Sequence, residues 1–322
     1  MLNISAKVIA KVIALTALGP ALLGAQTASA QEFINVLTGG TSGVYYPLGV
    51  ALSEIYAEGI EGSRTQVQAT KASVENLNLL AQGSGEIAFA LGDSVALAWA
   101  GDTEAGFPAP LQNLRAIAAI YPNYIQIVAE TESGATTLAD LEGMSLSVGA
   151  PASGTELNAR AIFAAAGMSY DDLERVEYLP FAESAELIKN RQIQATLQSA
   201  GLGVASITDL ATTHDITVIE IPADVVMAVG APYVPAVIPA GTYNGQDADV
   251  PTAAVGNVLV TSEAVSEETA YQMTKLIFDN LDRLQAAHSA AGGISLDGAL
   301  TGLSIPLHPG SERYYREMGL IE

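Results

Sequence analysis

The sequence predicts an α/β protein of two lobes, and three observations lead to this prediction. Short apolar or alternating runs, typical of strands, take turns with runs whose apolar residues recur at helical spacing. A glycine-containing loop with hydroxyl side chains joins a strand to a helix at residues 38–43. A similar loop follows about 110 residues later, at 149–155. Ligands of α/β sheets bind outside the carboxyl ends of strands, so two such loops facing each other predict a cleft around one small molecule.

The first unit starts with a buried strand at 33–37 and continues into an amphipathic helix. Pro47 fits the first turn of that helix, where no backbone donor is needed. The glycines of the intervening loop let the backbone take positive φ and come close to a ligand. Free N–H groups and the positive end of the helix dipole then favour an anion. Five hydroxyl side chains add further polar groups: Thr38, Thr41, Ser42, Tyr45 and Tyr46.

The alternation of strands and helices continues along the chain. Predicted strands cover 65–70, 87–91, 114–120, 125–128, 146–148, 193–197 and 253–260, and predicted helices cover 74–81, 157–165 and 266–284. Five prolines between 222 and 251 exclude a regular helix from that segment.

The second loop carries a helix-start pattern of its own. Ser153 and Glu156 fit a capping box, in which the serine caps the helix and the glutamate reaches back. Capping and ligand contact both remain open for Ser153, and Gly154 and Thr155 keep backbone donors for a ligand. Asp93 follows a predicted strand, where a helix N-cap and a ligand contact are the two alternatives.

The charge of the chain restricts its partners. Thirteen basic and 35 acidic residues give a net charge of −22, which becomes −24 (11 minus 35) without Lys7 and Lys11. Nucleic acid and anionic lipid are poor partners for such a chain. The same field repels an anionic ligand, so local donors must outweigh it, which screening over about 10 Å allows.

The first thirty residues have the pattern of a secretory signal. A basic start is followed by an apolar run at 12–25 that is too short to span a membrane, and small residues at 28–30 offer a cleavage site before Gln31. We therefore expect an exported, soluble protein. The chain has no cysteine, which excludes disulfides and thiolate metal sites.

Motifs of catalysis are missing from the sequence. There is no GxSxG, no HExxH, no phosphate-binding loop and no dinucleotide fingerprint, and His214, His288 and His308 have no metal-ligand spacing. We expect no catalytic residue, no metal and no cofactor. Two alternatives to a binding protein remain. One is an exported hydrolase or lyase that uses a carboxylate with Tyr45 or Tyr46, and the other is a structural or sensory envelope protein.

Several separated motifs resemble the TAXI type of TRAP-transporter solute-binding protein. In chain order they are residues 38–47 (TGGTSGVYYP), 73–76 (SVEN), 149–156 (GAPASGTE), 239–243 (PAGTY) and 306–315 (PLHPGSERYY). The resemblance covers essentially the whole mature chain. It departs from the family pattern at 70–72, where Thr-Lys-Ala replaces the commoner Thr-Gly-Gly, and at 92–94, where Gly-Asp-Ser replaces the commoner Gln-Ser-Asp.

The resemblance implies a two-lobed periplasmic binding protein, type II-like, with the ligand cleft between the lobes. Such a protein closes on a solute and docks on the membrane subunits of a TRAP transporter; it is not an enzyme. Members favour glutamate, glutamine or related five-carbon acids such as 2-oxoglutarate. We expect a signal peptide at 1–30, lobe I at 31–122 and 253–322, and lobe II at 123–252.

The predicted ligand site draws one wall from each lobe. Helix-start N–H groups and hydroxyls hold carboxylate oxygens, and Lys71 is a possible charge partner. The predicted ligand-binding residues are Gly39, Thr41, Ser42, Val44, Tyr45, Thr70, Lys71, Ala72, Ser73, Asp93, Ser153, Gly154, Thr155 and Gln198.

Overall fold

The computed structural model describes residues 32–322, and strands and helices alternate along that range. The predicted signal peptide at 1–30 lies outside the described residues. The strands are β1 Phe33–Leu37, β2 Arg64–Gln68, β3 Ile87–Leu91, β4 Leu114–Glu130, β5 Ser145–Ser147, β6 Arg175–Glu177, β7 Ala195–Ala200, β8 Ile216–Ile219, β9 Val234–Ile238 and β10 Val250–Ser262. The α-helices are α1 Tyr45–Gly59, α2 Ser73–Ala81, α3 Gly92–Ala100, α4 Gly154–Ala165, α5 Phe181–Lys189, α6 Ala205–Thr213, α7 Ala223–Val229, α8 Glu267–Asp279, α9 Leu281–Ala287 and α10 Pro309–Glu317.

The sheet contains the same arrangement of strands twice. Its order is β2-β1-β3-β10-β4-β7-β5-β6, with β8 beside β4 and β9 beside β10. We call β1 to β3 the first strand group and β5 to β7 the second. In each group the earliest strand lies in the middle and pairs in parallel with the next two, as parallel strands joined by helices can. The predicted repeat of a strand–loop–helix unit is therefore confirmed in the topology.

Two long antiparallel strands, β4 and β10, connect the groups. The part of β4 up to Tyr124 pairs with β10, and from Tyr124 onward β4 pairs with β7, with β8 on its other side from Ile127. The sequence predicted two strands here, at 114–120 and 125–128, which was wrong. Pro122 lacks an N–H donor, but it stands opposite Gly256, next to a shift in the register, so the strand continues through it. The lobe boundaries near 122 and 252 stay a prediction.

Two helix predictions need correction. The predicted helix 266–284 is interrupted at Asn280, whose φ of −129° is not helical, so α8 ends at Asp279 and α9 begins at Leu281. The segment 222–251 does hold a regular helix, α7, because its seven residues fit between Pro222 and Pro232. Pro222 precedes the first turn, where proline is tolerated.

The parallel strands nearest the centre of the sheet lie in the interior of the protein, whereas the outer strands β2 and β6 are half-buried or exposed. All five residues of β3 and all six of β7 are buried, as expected for strands covered on both faces. β7 nevertheless carries Thr196, Gln198 and Ser199, so its interior position is partly polar. Among the residues that the structure describes, no helix is long and apolar enough to cross a membrane.

Candidate ligand-binding site

A cavity of about 100 Å³ lies at the carboxyl ends of strands from both groups. Gly39 follows β1, Leu91 ends β3, Ala150 follows β5 and Ala200 ends β7, and all four line the cavity. These are the positions where the strand order reverses within each group, which is where α/β sheets bind ligands. One water needs about 10–15 Å³ of such space, so the cavity has room for a small organic molecule.

Ten of the fourteen predicted residues line this cavity. They are Gly39, Val44, Tyr45, Thr70, Lys71, Ala72, Ser73, Ser153, Gly154 and Thr155. The other lining residues were not named individually, although the first three belong to the predicted loops, and they are Gly40, Gly43, Ala150, Leu91, Asn123, Pro180, Phe181, Ser199 and Ala200. The structure thus brings both predicted loops to one space, and contact of these residues with a ligand stays a prediction.

Four helices start at the cavity wall. α1, α2 and α5 follow Val44, Ala72 and Pro180, and none of these three residues caps its helix with a side-chain hydrogen bond. α4 follows Ser153, whose Oγ accepts a hydrogen bond from the N–H of Glu156 at 3.2 Å. The positive ends of four helix dipoles therefore point toward one small space, an arrangement that favours an anion.

The predicted capping box at α4 is only half formed. Ser153 caps the helix, but the Glu156 carboxylate does not reach back to it. It binds Arg160 instead, with Nε–Oε1 and Nη2–Oε2 distances of 2.8 and 2.6 Å. Arg160 lies four residues later on the same helix, at a spacing that brings the two side chains together. The Glu156 carboxylate therefore pairs with Arg160 and not with the backbone of Ser153. Ser153 is thus both a cap and a lining residue.

Lys71 is the cationic residue of the cavity wall. Residues 32–322 contain eleven basic and 35 acidic side chains, and nine of the eleven basic ones form ion pairs. Within that range the two without an ion pair are Lys71 and Arg64. None of the 35 acidic residues lines the cavity. A strongly acidic protein thus surrounds a space that contains no carboxylate and one cation.

Ala72 has a strained backbone at the start of α2. Its φ of 73° and ψ of −140° belong to a region that residues other than glycine rarely adopt. Thr70 supports this turn, because its Oγ1 accepts the N–H of Ala72 at 3.0 Å and lies 2.6 Å from Asn76 Oδ1. The Thr70 hydroxyl is therefore engaged in holding the loop.

A row of hydrogen bonds crosses the floor of the cavity. The Tyr45 hydroxyl donates to Asn257 Oδ1, Asn257 Nδ2 donates to Asn123 Oδ1 at 2.7 Å, and Asn123 Nδ2 donates to the carbonyl of Ser199 at 3.0 Å. Burial raises the pKa of Tyr45 above its ordinary value. A tyrosine that stays protonated and donates to an amide is a poor base or nucleophile.

Ser199 is one of the lining residues that the sequence analysis did not name, and the neighbouring Gln198 was named instead. Side chains alternate along a strand, so only one of the two faces the cavity. Gln198 is buried away from the cavity wall, and its Oε1 accepts from Ser206 Oγ at 2.6 Å. Ser199 is 5 % exposed, and its Oγ has no hydrogen-bond partner among the described residues. A buried hydroxyl without a partner is uncommon in folded proteins, and at a residue of the cavity wall a ligand or an ordered water can supply that partner.

Asp93 does not line the cavity and does not cap a helix. It lies in the first turn of α3 and is 6 % exposed. Its Oδ2 accepts from Asn158 Nδ2 at 2.7 Å and from the Tyr233 hydroxyl at 2.5 Å, and its Oδ1 accepts the N–H of Ser94 at 2.7 Å. Burial raises the pKa of this carboxyl above its ordinary value. Asp93 therefore joins α3 to α4 and to the segment before β9.

Thr41 and Ser42 also fall outside the cavity wall. The N–H of Gly43 donates to the carbonyl of Gly40 at 3.0 Å, which closes a turn with Thr41 and Ser42 at its tip. Thr41 is exposed and Ser42 is half-buried. Glycines, rather than the hydroxyls between them, approach the cavity. Among residues 32–322 no cluster of three or more histidine, aspartate or glutamate side chains is placed to hold a metal ion.

Three solved structures share this fold at low sequence identity. The first is the binding protein component of an ABC phosphonate transporter from Pseudomonas aeruginosa (TM-score 0.54, 11 % identity, covering 82 % of this chain and 80 % of that one). A protein from Bordetella bronchiseptica RB50 matches with a TM-score of 0.53 and 17 % identity over 85 % of both chains. A protein described as an L-cystine ABC transporter from Listeria monocytogenes matches with a TM-score of 0.51 and 12 % identity, covering 81 % and 96 %.

These similarities confirm the predicted fold class, the α/β fold of two-lobed solute-binding proteins. The position of a cleft between two lobes stays a prediction. Identities this low say nothing of the ligand. A family model, by contrast, matches nearly all of the chain that the structure describes, over residues 36–319. On that match, this chain belongs to the NMT1-like family.

Proposed function

We propose that this protein is the periplasmic solute-binding component of a TRAP transporter of the TAXI type. It captures a small carboxylate, glutamate or glutamine or a five-carbon acid such as 2-oxoglutarate, and delivers it to the membrane permease. Residues 1–30 direct export and are removed. The single observation that carries the proposal is the cavity wall, in which Lys71 and four helix starts meet with no carboxylate.

Affinity for a carboxylate follows from the donors around the cavity. A hydrogen bond to a charged group contributes about 1.5–3 kcal/mol. Four or five such bonds, less the cost of closure and ordering, reach about −8 kcal/mol, which corresponds to micromolar binding. Lys71 supplies one of these groups, and the backbone at the helix starts supplies the others.

Contacts between the two sides of the cleft support a closing motion around the ligand. The N–H of Glu75 in α2 donates to the carbonyl of Ala152 at 3.1 Å, and Gly154 packs closely against Ser73 and Leu91. A ligand held by donors from both sides selects this closed arrangement, because an open one offers it only half of the contacts.

A thermal-shift screen of organic acids and amino acids, followed by calorimetry, tests this proposal. We expect a ligand-dependent rise in melting temperature for small carboxylates and recovery of the ligand chemically unchanged. Turnover of the ligand would instead support the exported hydrolase or lyase. Absence of any shift across the acids would contradict carboxylate capture.

The transport assignment has tests of its own. Amino-terminal sequencing of the protein from the periplasm is expected to start at Gln31. Genes for TRAP membrane subunits are expected beside this gene. Periplasmic protein without such genes, and without uptake of its ligand, would support the sensory alternative.

A further inference from the structure

We infer that the cavity takes an organic anion without an ammonium group, so that it selects deaminated acids over the matching amino acids. The inference rests on the proposed function and narrows its ligand class. It comes from the chemistry of the wall, in which nineteen residues include one cation and no aspartate or glutamate.

An ammonium group in this cavity would find no carboxylate, and several neutral acceptors of the wall are already in use. The Oδ1 of Asn123 already accepts from Asn257, and the Tyr45 hydroxyl acts as a donor. The carbonyls of Gly40 and Ala150 accept the N–H groups of their own turns, at 3.0 and 3.2 Å. A buried charge without a partner costs several kcal/mol, so an amino acid loses affinity relative to the same acid without the amino group.

Glu75 and Asp93, two acidic residues close in sequence to the cavity wall, form hydrogen bonds outside the cavity. The Oε2 of Glu75 accepts the N–H of Lys71 at 2.5 Å and faces the turn, and Glu75 does not line the cavity. Asp93 uses both carboxylate oxygens on Asn158, Tyr233 and Ser94. Neither carboxylate therefore pairs with an ammonium group in the cavity.

The field inside the cavity adds to this selection. Lys71 and the positive ends of α1, α2, α4 and α5 attract a carboxylate and repel an ammonium group. The hydroxyl of Ser199 has no partner among the described residues, and it can donate to a carboxylate, carbonyl or hydroxyl oxygen. The polar groups of the wall thus suit an acid with oxygen substituents.

Calorimetry with pairs of compounds that differ at one position tests the inference. The pairs are pyruvate with L-alanine, glutarate with L-glutamate, and 2-oxoglutarate with L-glutamate, at one pH and one salt concentration. In each pair that binds, we expect the compound without nitrogen to bind at least tenfold tighter. An amino acid that binds as tightly as its partner, or tighter, would overturn the inference and leave carboxylate capture intact. No binding by any member would overturn the proposed function, and the inference with it.

A pair of isosteric variants tests the missing carboxylate directly. Ser199→Asp places an acceptor for an ammonium group in the wall, and Ser199→Asn places a neutral side chain of the same size there. We expect Ser199→Asp to shift the preference within each pair at least tenfold toward the amino acid, and Ser199→Asn to leave it near the wild-type value. Thermal melts confirm that both variants fold. A folded Ser199→Asp protein with unchanged preference would contradict the inference, and the wild-type pairs decide the matter if that variant does not fold.

Discussion

The Oδ2 of Asp93 lies 2.5 Å from the hydroxyl oxygen of Tyr233, 140 positions away in the chain. Asp93 is the second residue of α3, directly after the first strand group, whereas Tyr233 precedes β9. Their common neighbour Asn158 belongs to α4, which follows β5 of the second group. Through Tyr233 and Asn158, the Asp93 carboxyl therefore connects α3 to the segment before β9 and to α4. These hydrogen bonds are formed in the interior, where a carboxylate without partners is costly.

The buried Asp93 carboxyl is expected to make stability depend on pH. Because its pKa is raised in the folded state, the folded protein holds this proton more tightly than the unfolded chain. Its contribution is then largest below the ordinary pKa of 3.8 and is lost as pH rises through the raised value. The difference in unfolding free energy between wild type and Asp93→Asn is expected to fall with rising pH, by at most about 1.4 kcal/mol per pH unit. Urea titrations from pH 4 to 7 measure it.

Asp140 is a control whose pKa is shifted in the opposite direction to that of Asp93. It is exposed, and the N–H groups of Thr136 and Thr137 lower its pKa to about 2. Its contribution is present above the ordinary pKa of 3.8 and is lost as pH falls toward 2. The difference between wild type and Asp140→Asn is therefore expected to shrink on acidification. If the stability difference from wild type changed with pH in the same direction for both variants, a raised pKa of Asp93 in the folded state would be contradicted.

Removal of the cavity cation is expected to weaken binding. Lys71→Gln loses a charge-assisted hydrogen bond of about 1.5–3 kcal/mol, which corresponds to a rise in Kd of about 10- to 150-fold for a carboxylate. Arg64→Gln is the matched control, because Arg64 is also exposed and without an ion pair in residues 32–322 but does not line the cavity. Calorimetry on both variants measures the effect. Equal Kd values for Lys71→Gln and wild type would remove Lys71 from the site.

A side chain at position 154 is expected to oppose closure. A Cβ added to Gly154 would lie 2.6 Å from Ser73 Oγ and 2.7 Å from Leu91 Cδ1, across the cleft. Overpacking of this kind costs about 1–3 kcal/mol. For Gly154→Ala we expect Kd to rise by about tenfold and the ligand-bound radius of gyration, measured by small-angle X-ray scattering, to increase. Gly256→Ala is the control, since no atom lies within 4 Å of an added Cβ there. Closure at wild-type affinity in Gly154→Ala would contradict this packing argument.

Relief of backbone strain at Ala72 is expected to stabilise the protein. Positive φ with ψ of −140° suits glycine, and such strain costs about 1–3 kcal/mol for other residues. Ala72→Gly also raises the conformational entropy of the unfolded chain, which lowers stability by about 0.4–1 kcal/mol. The net increase in the free energy of unfolding is therefore expected to be about 1 kcal/mol. Thermal unfolding is expected to show a rise of a few degrees. Ala81→Gly, at the regular end of the same helix, is expected to lower the melting temperature. A fall in both variants would show that Ala72 is not strained.

Local patterns in the sequence were sufficient for the architecture and for much of the cavity wall. The strands Phe33–Leu37 and Ile87–Leu91 have the predicted bounds, because short apolar runs between turn residues leave few alternatives. The glycine-containing loops after β1 and β5 reach the cavity because strand ends and helix starts are encoded by neighbouring residues. Lys71, Ala72 and Ser73 line it for the same reason.

Distant contacts decided what local patterns left open. Which of Gln198 and Ser199 faces the cavity depends on the register of β7 against β4, which is set by residues about seventy positions away. The role of Asp93 depends on Tyr233 and on α4, and the continuity of β4 through Pro122 depends on β10.

The sequence by itself therefore determined the alternation of elements, the repeated loop and the charge of the chain, because each depends on residues close together in the chain. Tertiary structure alone decided that all 35 acidic side chains stay out of the cavity wall while Lys71 and the unpaired Ser199 hydroxyl belong to it. The physical reason is that the wall is assembled from seven separate segments, whose relative positions follow from packing of the whole sheet.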